Sequence, residues 1–488
     1  MTTVEELMDS VLENLTKTCE EIPNFQGIVY DSRVAKKDDL FVAIPGYQSD
    51  GHQFLQHAKK NGAVGAVVET LATNIGIPQW QVSDTRRALS RLARNFYQKP
   101  FLNKPIIGIT GTNGKTTVVH CVAKILNNAG ISTGRIGTLG LRYDSRNNEH
   151  TKLTTPESLD LQRMLRYLED ASMACCVMEV SSHALSLNRV ADVDYSVAVF
   201  TNFTQDHLDF HGDMETYFEA KSLLFRNLEK KATAIINLDS QLANRLIEKT
   251  NARICTYSMI NSDADFAGYD LQITASGIRG KIKTPNGILE IMSPMVGRFN
   301  AENLLASVAT ASAMNVTHKI ISETICDFYG APGRMERIET DKANIFVDYA
   351  HTPDGFQNVL STVKDIRDQS ERNGKIIVIF GCGGDRDQGK RPKMGKIAEK
   401  FSDIVILTDD NQRFENPEKI IEHILNGIKK QDKIQIIRNR EDAIRHALSL
   451  ASPNDFVLVL GKGHENYHDV LGEKQPYSDL NVIQEAIN

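Results

Sequence analysis

An apolar run that turns through two glycines into a helical pattern is the feature that most limits the fold of this chain. Ile106 to Thr110 has the length and β-branched character of a buried strand, and Val118 to Asn127 repeats apolar residues at helical spacing. A strand, a glycine turn and a helix N-terminus present backbone N–H groups and a positive dipole end to phosphate oxygens. The sequence therefore predicts a nucleoside triphosphate site on an α/β sheet, formed by Gly111, Thr112, Asn113, Gly114, Lys115, Thr116 and Thr117.

Two side chains of this loop suit the chemistry of a triphosphate. Lys115 would contribute a mobile positive charge, and Thr116 a hydroxyl for Mg²⁺. The spacing departs from the usual phosphate loop, G-x-x-x-x-G-K-[ST], because Ile109 stands at the place of the first glycine. A Gly-Lys-Thr triplet also occurs by chance, and the strand before it and the helix after it favour the functional interpretation.

The length of the chain indicates several domains. It has 488 residues, whereas single hydrophobic cores stop growing near ~250 residues. β-Branched runs alternate with helical patterns, as in Leu40 to Ile44, Phe54 to Asn61 and Val64 to Val68, which is typical of βαβ units with mostly parallel sheets. Breaks that contain proline or glycine lie near residues 97–105 and 330–334. We predict an α/β protein with domains over residues 1–103, 104–334 and 335–488.

One segment of the middle domain has a different pattern. Between Asn261 and Pro294, apolar and polar residues alternate, and turn signals such as Pro285-Asn286-Gly287 separate the segments. This pattern predicts an antiparallel insertion in the otherwise parallel sheet.

Composition and charge exclude several classes of protein. The chain is 41% hydrophobic and 24% charged with a net charge of -6, which is typical of a globular protein and not of one that coats nucleic acid. It has no stretch of ~18 apolar residues, and Met1 to Leu15 predicts an acidic amphipathic helix and not a signal peptide. Seven cysteines without a Cys-x-x-Cys pair predict reduced, mostly buried thiols. We therefore predict a cytoplasmic protein without nucleic-acid partners or membrane insertion.

Two further strands end in groups that suit a metal ion. The apolar run Cys175 to Glu179 ends in a carboxylate, at the edge where parallel sheets hold their ligands. A second apolar run, Ser196 to Phe200, leads into a loop rich in Asp and His. His207 and His211 alone suggest zinc only weakly, because a third ligand at a familiar spacing is missing. The oxygen-rich surroundings favour Mg²⁺.

A set of motifs in a fixed order covers nearly the whole chain. It comprises Asp31-Ser-Arg33, Gly111-Thr-Asn-Gly-Lys-Thr116, Thr154-Thr-Pro156, Glu179-Val-Ser-Ser-His183, Asp206-His-Leu-Asp209, Phe299-Asn-Ala-Glu-Asn303, Gly333-Arg-Met-Glu336, Asp348-Tyr-Ala-His-Thr-Pro353, Gly381-Cys-Gly-Gly-Asp-Arg-Asp387 and Gly461-Lys-Gly-His-Glu465. This ordered set resembles the Mur ligase family of peptidoglycan-building enzymes.

The resemblance implies an architecture and a reaction. It implies an N-terminal domain for a UDP-sugar, a central P-loop ATPase and a C-terminal Rossmann-like domain for an amino acid. The expected enzyme is a ligase that uses ATP and Mg²⁺ to phosphorylate a carboxylate and then joins it to an amine. Its expected substrates are UDP-N-acetylmuramoyl-L-alanyl-D-glutamate and meso-diaminopimelate, and the expected state is a monomer.

The resemblance also assigns roles to residues of the first two domains. It implies that Lys221 is carbamylated by CO₂ and holds a metal ion, although the helical context of Lys221 by itself predicts a solvated side chain. The catalytic residues would be Lys115, Lys221 and His207, and the metal ligands Thr116, Glu179, His207 and Lys221. Asn303, Arg334 and Asp348 would surround the nucleotide, and the UDP-sugar substrate would contact Ser32, Thr154, Thr155, Ser181 and Arg189.

The choice of amino acid is predicted to depend on Arg413. Meso-diaminopimelate carries a carboxylate at its far end that lysine lacks, and a guanidinium can bind it through two parallel hydrogen bonds. Gln412 stands where the family pattern Asp-Asn-Pro-Arg has proline. The predicted amino-acid site comprises Arg386, Asp410, Asn411, Gln412, Arg413, Gly461 and Glu465.

Other functions stay open at this point. A lysine-adding or folylpolyglutamate-type ligase would share the phosphate loop, and a regulatory P-loop protein would use ATP only to switch conformation. A dinucleotide-binding oxidoreductase is disfavoured, because Gly381-Cys-Gly-Gly lacks the third glycine of that fingerprint.

Overall fold

The computed structural model describes residues 7, 16–17, 24–46, 49–143, 148–151, 153–369 and 374–487. The predicted N-terminal helix therefore lies outside the described residues, except for Leu7. The chain forms two compact units. The first comprises residues 1–119, 126–236 and 240–255, and the second residues 120–125, 237–239 and 256–488.

Helices follow one another along the chain with short connections. They are α1 (Leu55–Lys60), α2 (Thr85–Phe96), α3 (Lys115–Asn128), α4 (Ser158–Asp170), α5 (Ser182–Ser186), α6 (Leu208–His211), α7 (Met214–Arg226), α8 (Ala243–Ile247), α9 (Arg298–Ala313), α10 (His318–Cys326), α11 (Pro353–Gln369), α12 (Lys390–Phe401), α13 (Pro417–Leu425), α14 (Arg440–Leu450) and α15 (Asp479–Ile487). Short 3-10 helices span Gly51–Phe54 and Gln431–Lys433.

The first unit contains a small N-terminal sheet of order β1-β5-β4-β3-β2. Strands β2 to β5 are parallel and β1 is antiparallel. The strands are β1 (Thr16–Lys17), β2 (Gly27–Val29), β3 (Asp39–Val42), β4 (Ala63–Val68) and β5 (Gln79–Gln81). Alternate residues of β3 enter two cores, because Leu40 packs in one cluster and Phe41 in another. This confirms the βαβ pattern predicted over residues 40–68.

The larger sheet of the first unit places β6 between β10 and β11, with β7 beyond β10 and β12 beyond β11. These five strands are parallel, and the short β8 and β9 add an antiparallel edge. The strands are β6 (Ile106–Thr110), β7 (Thr133–Gly137), β8 (Gly140–Arg142), β9 (Asn148–Glu149), β10 (Cys175–Glu179), β11 (Val197–Phe200) and β12 (Thr233–Asn237). Because β6, β7, β10 and β11 are parallel, the loops that follow them meet at one edge.

The second unit begins with the antiparallel insertion predicted from the sequence. Strands β14 (Phe266–Thr274), β15 (Gly277–Thr284) and β16 (Gly287–Ser293) form a meander, and the end of β13 (Arg253–Ser258) pairs with β14. The turn between β15 and β16 uses the predicted Pro285-Asn286 pair.

The C-terminal part of the second unit is a six-stranded sheet of order β17-β18-β22-β19-β20-β21. All pairs are parallel except that of β17 with β18. The strands are β17 (Glu336–Ile338), β18 (Asn344–Asp348), β19 (Ile376–Phe380), β20 (Ile404–Leu407), β21 (Ile434–Ile436) and β22 (Phe456–Leu460), and a separate hairpin joins β23 (Tyr467–Val470) to β24 (Glu473–Pro476). Helices cover both faces, since Phe346 and Ile345 belong to different cores. The predicted α/β class is confirmed.

Two further predictions can be compared with the described residues. No described helix is both long and apolar enough to cross a membrane. Within the same part of the chain, the cysteines are free thiols, and Cys121, Cys175, Cys176 and Cys382 are buried, as predicted. The domain boundaries after residues 103 and 334 fall in connections between elements and stay a prediction.

Candidate active site

The phosphate loop of the first unit connects β6 to the N-terminus of α3. Gly111 has φ +149°, and a Cβ there would collide with the hydroxyl of Thr201. Side chains that follow β11 hold the loop: Thr201 Oγ1 donates to Asn113 O at 2.6 Å, and Asn113 N donates to Asn202 Oδ1 at 2.8 Å. The backbone of the loop is therefore fixed by the neighbouring strand end.

Lys115 bends back over this loop. Its Nζ donates to the carbonyl oxygens of Gly111 and Thr112, each at 2.9 Å. The ammonium group thus lies at the turn, where an anionic phosphate bound by the loop would accept from it more strongly than these neutral carbonyl oxygens do.

Glu179 ends β10 as a buried carboxylate that is 2% exposed. Thr116 Oγ1 donates to its Oε2 at 2.9 Å, and the amide of Thr138 donates to its Oε1 at 2.8 Å. The Thr138 hydroxyl also donates to Oε2, at 3.3 Å. Gly137 permits this arrangement, since a Cβ there would overlap the Glu179 carboxylate. Among the described residues, only these uncharged groups donate to Glu179, so its negative charge is available to a cation.

Lys221 lies on α7 and is buried, with 2% exposure. Its Nζ donates to Gly111 O at 2.9 Å and lies 4.5 Å from the centroid of the Tyr217 ring. Burial lowers the pKa of Lys221 well below its usual value, and the nearby charge of Lys115 lowers it further. The solvated side chain predicted from the helical context is wrong, because α7 packs against the phosphate loop and covers this face of the helix.

Three histidines surround the loop that follows β11. The ring centroid of His183 lies 4.7 Å from that of His207 and 5.6 Å from that of His211. Burial lowers the pKa of His183 to about 4, and burial also lowers the pKa of His207. His207 Nε2 lies 3.3 Å from Asp206 Oδ2. In the part of the chain that the structure describes, no three His, Cys, Asp or Glu side chains form a metal-binding cluster.

The residues predicted for the UDP-sugar substrate are partly brought together. Thr155 Oγ1 donates to the carbonyl oxygen of Glu179 at 2.9 Å and accepts from the amide of Ser181 at 3.0 Å. The Thr154 hydroxyl lies 3.2 Å from that of Thr138. The two threonines and Ser181 therefore stand beside the buried carboxylate, whereas the Ser32 hydroxyl contacts His57 Nδ1 at 3.0 Å.

Arg189, predicted to bind the same substrate, has a protein partner. Its Nε lies 2.9 Å from Glu157 Oε1, and its Nη1 donates to Thr155 O at 3.3 Å. Arg86 also approaches Glu157, with Nη1 3.4 Å from Oε2. One carboxylate thus faces two guanidinium groups, and these three side chains together carry one net positive charge.

The residues predicted to surround the rest of the nucleotide belong to the second unit. Asp348 ends β18, and its two oxygens accept from the amides of Met335 at 2.6 Å and Ala350 at 2.7 Å. The Arg334 guanidinium lies 4.8 Å from the centroid of the Tyr349 ring. Asn303 is buried on α9.

The predicted amino-acid site gathers at the carboxyl ends of β20 and β22. Asn411 connects it: its Nδ2 donates to Glu465 Oε2 at 2.8 Å, and its Oδ1 accepts from Lys462 Nζ at 2.9 Å. Lys462 Nζ also lies 3.5 Å from Glu465 and 3.9 Å from Asp410. Burial raises the pKa of Glu465. Burial by itself would raise the pKa of the Asp410 carboxyl. The positive charges of Lys462 and Arg440 have the larger combined effect, so the pKa is lowered.

Arg413 and Arg386 differ in their surroundings. Arg413 has φ +50°, its Nη1 donates to Gly384 O at 2.7 Å, and its Nε lies 3.6 Å from Asp469 Oδ2. Arg386 is exposed. Gln412 is half-buried, and its carbonyl accepts from the amide of Glu415 at 3.1 Å.

Several residues of these sites were given no role from the sequence. They are Gly137, Thr138, Asn202, Tyr217, Lys462 and Asp469. The carboxyl end of β7 was a usable signal for Thr138, since parallel strand ends meet at one edge. Asp469 had no such signal, because its hairpin carries no motif of its own.

Comparison with known proteins agrees with this geometry. Three family models match the chain: "Mur ligase family, catalytic domain" over residues 24–97, "Mur ligase middle domain" over 109–311, and "Mur ligase, glutamate ligase domain" over 333–463.

Curated relatives include a UDP-N-acetylmuramoyl-L-alanyl-D-glutamate--2,6-diaminopimelate ligase from Bacillus velezensis, 42% identical over 472 residues, covering 95% of this chain and 94% of the relative. A ligase of the same name from Aquifex aeolicus is 41% identical, with 95% and 93% covered.

Among solved structures, a UDP-N-acetylmuramoyl-L-alanyl-D-glutamate--2,6-diaminopimelate ligase aligns with TM-score 0.67 and 34% identity over 95% of this chain and 94% of that one. A MurF ligase from Thermotoga maritima in complex with ADP shares the fold, with TM-score 0.58, 18% identity and 95% and 97% covered. The chain belongs to the Mur ligase family.

Proposed function

We propose that this chain is an ATP-dependent ligase that adds meso-diaminopimelate to the D-glutamate of UDP-N-acetylmuramoyl-L-alanyl-D-glutamate, in peptidoglycan precursor synthesis. The relatives from Bacillus velezensis and Aquifex aeolicus carry the name of that ligase and align over nearly their whole length. The structural observation that supports the proposal most is the phosphate loop whose Thr116 bonds the buried carboxylate of Glu179.

Activation of the carboxylate is the step that requires ATP. A free carboxylate and an amine do not form an amide in water at useful yield, so the carboxylate first needs a leaving group. A carboxylate oxygen would bond to the γ-phosphorus while ADP leaves. The amine would then attack the acyl carbon, phosphate would leave, and the amine nitrogen would lose a proton. Lys115 and the amides of residues 111–117 would bind the β- and γ-phosphates during the first step.

The donor atoms of the first unit fit Mg²⁺, which prefers hard oxygen ligands. Among the residues that the structure describes, the buried Glu179 carboxylate accepts hydrogen bonds only from uncharged groups, and the Thr116 hydroxyl is one of them. When bound, the ion would neutralise charge on the transferred phosphoryl group. His207 is the other proposed ligand, and the burial that lowers its pKa favours the neutral imidazole that a metal requires.

Lys221 is proposed to carry the carbamate. Only an uncharged amine reacts with CO₂, and burial beside Lys115 lowers the pKa of Lys221 toward that form. The Lys221 nitrogen would bond to the carbon of CO₂ and lose a proton to solvent. The product would be an anion next to the loop, which can hold a metal ion where an ammonium group would repel it. The carbamate would add a second anionic oxygen ligand to that of Glu179.

Recognition of the anionic sugar substrate is proposed for the group around Glu157. Arg189 and Arg86 share the Glu157 carboxylate, so these three side chains together carry one positive charge that would attract a carboxylate or phosphate of the ligand. Thr154, Thr155 and Ser181 would place hydroxyl groups near the reacting carboxylate, because they stand beside Glu179. Ser32 completes the proposed set.

The second unit is proposed to bind the amino acid and the rest of the nucleotide. Arg413 would pair with the far carboxylate of meso-diaminopimelate. The other polar groups of the same molecule would contact Arg386, Asp410, Asn411, Gln412, Gly461 and Glu465. Asn303, Arg334 and Asp348 would bind adenine, phosphate and ribose. ATP and UDP-linked precursors are cytoplasmic compounds, so we place the enzyme in the cytoplasm. The monomeric state implied by the family resemblance stays a prediction.

One assay separates this proposal from its rivals. Purified protein is incubated with ATP, Mg²⁺ and the UDP-muramoyl-dipeptide, with meso-diaminopimelate or lysine added in parallel, and both phosphate and the amide product are measured. We expect phosphate and product in equal amounts with meso-diaminopimelate. Preference for lysine would identify the lysine-adding ligase, and phosphate release that does not depend on an amino acid would identify a nucleotide switch.

A further inference from the structure

The hairpin of β23 and β24 holds Arg413 by its backbone. Arg413 N donates to Asp469 O at 3.0 Å, and Leu471 N donates to Arg413 O at 2.9 Å. Asn411 adds a third contact, because its Oδ1 accepts from Asp469 N at 2.9 Å. Arg413 is therefore fixed relative to one strand of the hairpin, independently of the turn around Gln412.

The side chain of Asp469 lies next to that of Arg413 without being satisfied by it. Its Oδ2 is 3.6 Å from Arg413 Nε, which is an ion-pair distance beyond hydrogen-bonding range. Its Oδ1 is buried and has no hydrogen-bond partner in the described part of the chain. A buried carboxylate oxygen without a donor is costly and uncommon in native proteins. A ligand that brings a donor would remove that cost.

Neighbouring residues indicate that Asp469 faces the amino-acid site. Side chains alternate along a strand, so Tyr467 and Asp469 project from the same face of β23. Burial raises the pKa of Tyr467, and the charges of Glu465, Arg413 and Asp469 also act on this phenol. Asn411 links the same groups, because it contacts the Asp469 amide through Oδ1 and Glu465 Oε2 through Nδ2.

The far end of meso-diaminopimelate carries two opposite charges on one carbon, a carboxylate and an ammonium. Arg413 and Asp469 present the two complementary charges side by side. We propose that Asp469 binds the far ammonium of meso-diaminopimelate while Arg413 binds the far carboxylate, so that the pair recognises an amino-acid group and not a carboxylate alone. This inference rests on the proposed function and adds a specificity-determining residue to it.

The pair also provides a reason for rejecting lysine. The terminal ammonium of lysine can reach Asp469, but it leaves the Arg413 guanidinium without the carboxylate that it would otherwise bind. A site whose guanidinium loses the carboxylate that it is placed to bind discriminates against the incomplete substrate.

The test uses the full chain with Asp469→Asn, which keeps the shape and removes the charge. Steady-state kcat/KM is measured with meso-diaminopimelate and with L-2-aminopimelate, which has the far carboxylate but no far amine. Loss of a charge-assisted hydrogen bond is expected to lower the preference for meso-diaminopimelate over 2-aminopimelate by about tenfold or more. Asp469→Glu should restore part of that preference. Asp432→Asn, an exposed carboxylate before β21, is the matched control and should leave it unchanged.

The outcomes distinguish this inference from the function on which it rests. A preference ratio that Asp469→Asn does not change, including the case in which both substrates become equally poor, would show that Asp469 only supports Arg413 and would overturn the inference. Wild-type protein that uses neither substrate would refute the proposed function and the inference together. A reduced ratio at an unchanged thermal midpoint supports the inference.

Discussion

Replacing Lys221 with methionine separates the cost of burying this lysine from its proposed use. Methionine has nearly the same length and is apolar, so it fills the space that the lysine occupies. The carbonyl of Gly111, which accepts from Lys221 Nζ, keeps a donor in the variant, because Lys115 Nζ donates to the same oxygen. The substitution therefore leaves no buried acceptor unsatisfied.

The expected effect on stability follows from the lowered pKa of Lys221. Each unit by which a pKa is lowered corresponds to ~1.4 kcal/mol between the two protonation states. The unfolded chain binds a proton at this lysine below pH ~10.4, whereas burial opposes protonation in the folded protein. The folded state is thus destabilised at neutral pH, and this destabilisation disappears as the pH rises above the pKa of Lys221 in the unfolded chain. In CO₂-free buffer we expect Lys221→Met to exceed the wild type in unfolding free energy by at least ~1 kcal/mol at pH 7.

The expected effect on activity has the opposite sign. Loss of the proposed carbamate should lower kcat for amide formation by at least ~100-fold, the effect of removing one electrostatic group from a transition state. Lys221→Ala should be equally inactive and should recover in part when acetate or formate is added, because alanine leaves space for the missing carboxylate. Lys221→Met should not recover, since its side chain fills that space. Mass spectrometry of the wild type should find one added CO₂.

Urea unfolding at pH 7 and at pH 11 measures the effect on stability. An assay of phosphate release during amide formation measures the effect on activity. Lys230→Met, at an exposed position just after α7, is the control and should change neither. A variant that is less stable than the wild type at pH 7, or a stability difference that does not shrink at high pH, would contradict the burial argument. Normal activity in Lys221→Ala would refute the carbamate.

Three further changes test other parts of the molecule. Arg413→Ala should lower kcat/KM for meso-diaminopimelate by at least ~100-fold, because a bidentate charged contact is lost. The Kd for ATP, measured by calorimetry, should stay the same. Unchanged kinetics with meso-diaminopimelate would contradict the role of Arg413 in specificity. Glu179→Gln should keep the thermal midpoint within a few degrees but reduce phosphate release by ~100-fold, and an active variant would show that the buried charge is not needed. Asp479→Asn should lower the unfolding free energy, measured in urea, by ~3–5 kcal/mol. The reason is that Asp479 accepts from Arg440 Nε and Nη2 at 2.8 Å each and both side chains are buried. A loss below ~1 kcal/mol would contradict this.

Local patterns in the sequence determined the phosphate loop, the carboxylate at the end of β10 and the antiparallel meander. Each depends on residues close together in the chain: glycines at positive φ, a short apolar run, or alternation broken by turn residues. The edge at which the strand ends meet also followed, because parallel strands with helical connections place their carboxyl ends together.

Only the tertiary structure decided what the charged side chains contact. Lys221 has the sequence context of a solvated helix residue, and it is buried because α7 packs on a loop more than 100 residues earlier in the chain. Thr138 reaches Glu179 from a different strand, and Asp469 reaches Arg413 from a hairpin that no motif predicts. The energy of a charge depends on its solvent exposure and its partners. Both are set by packing between segments distant in sequence, which local pattern does not contain.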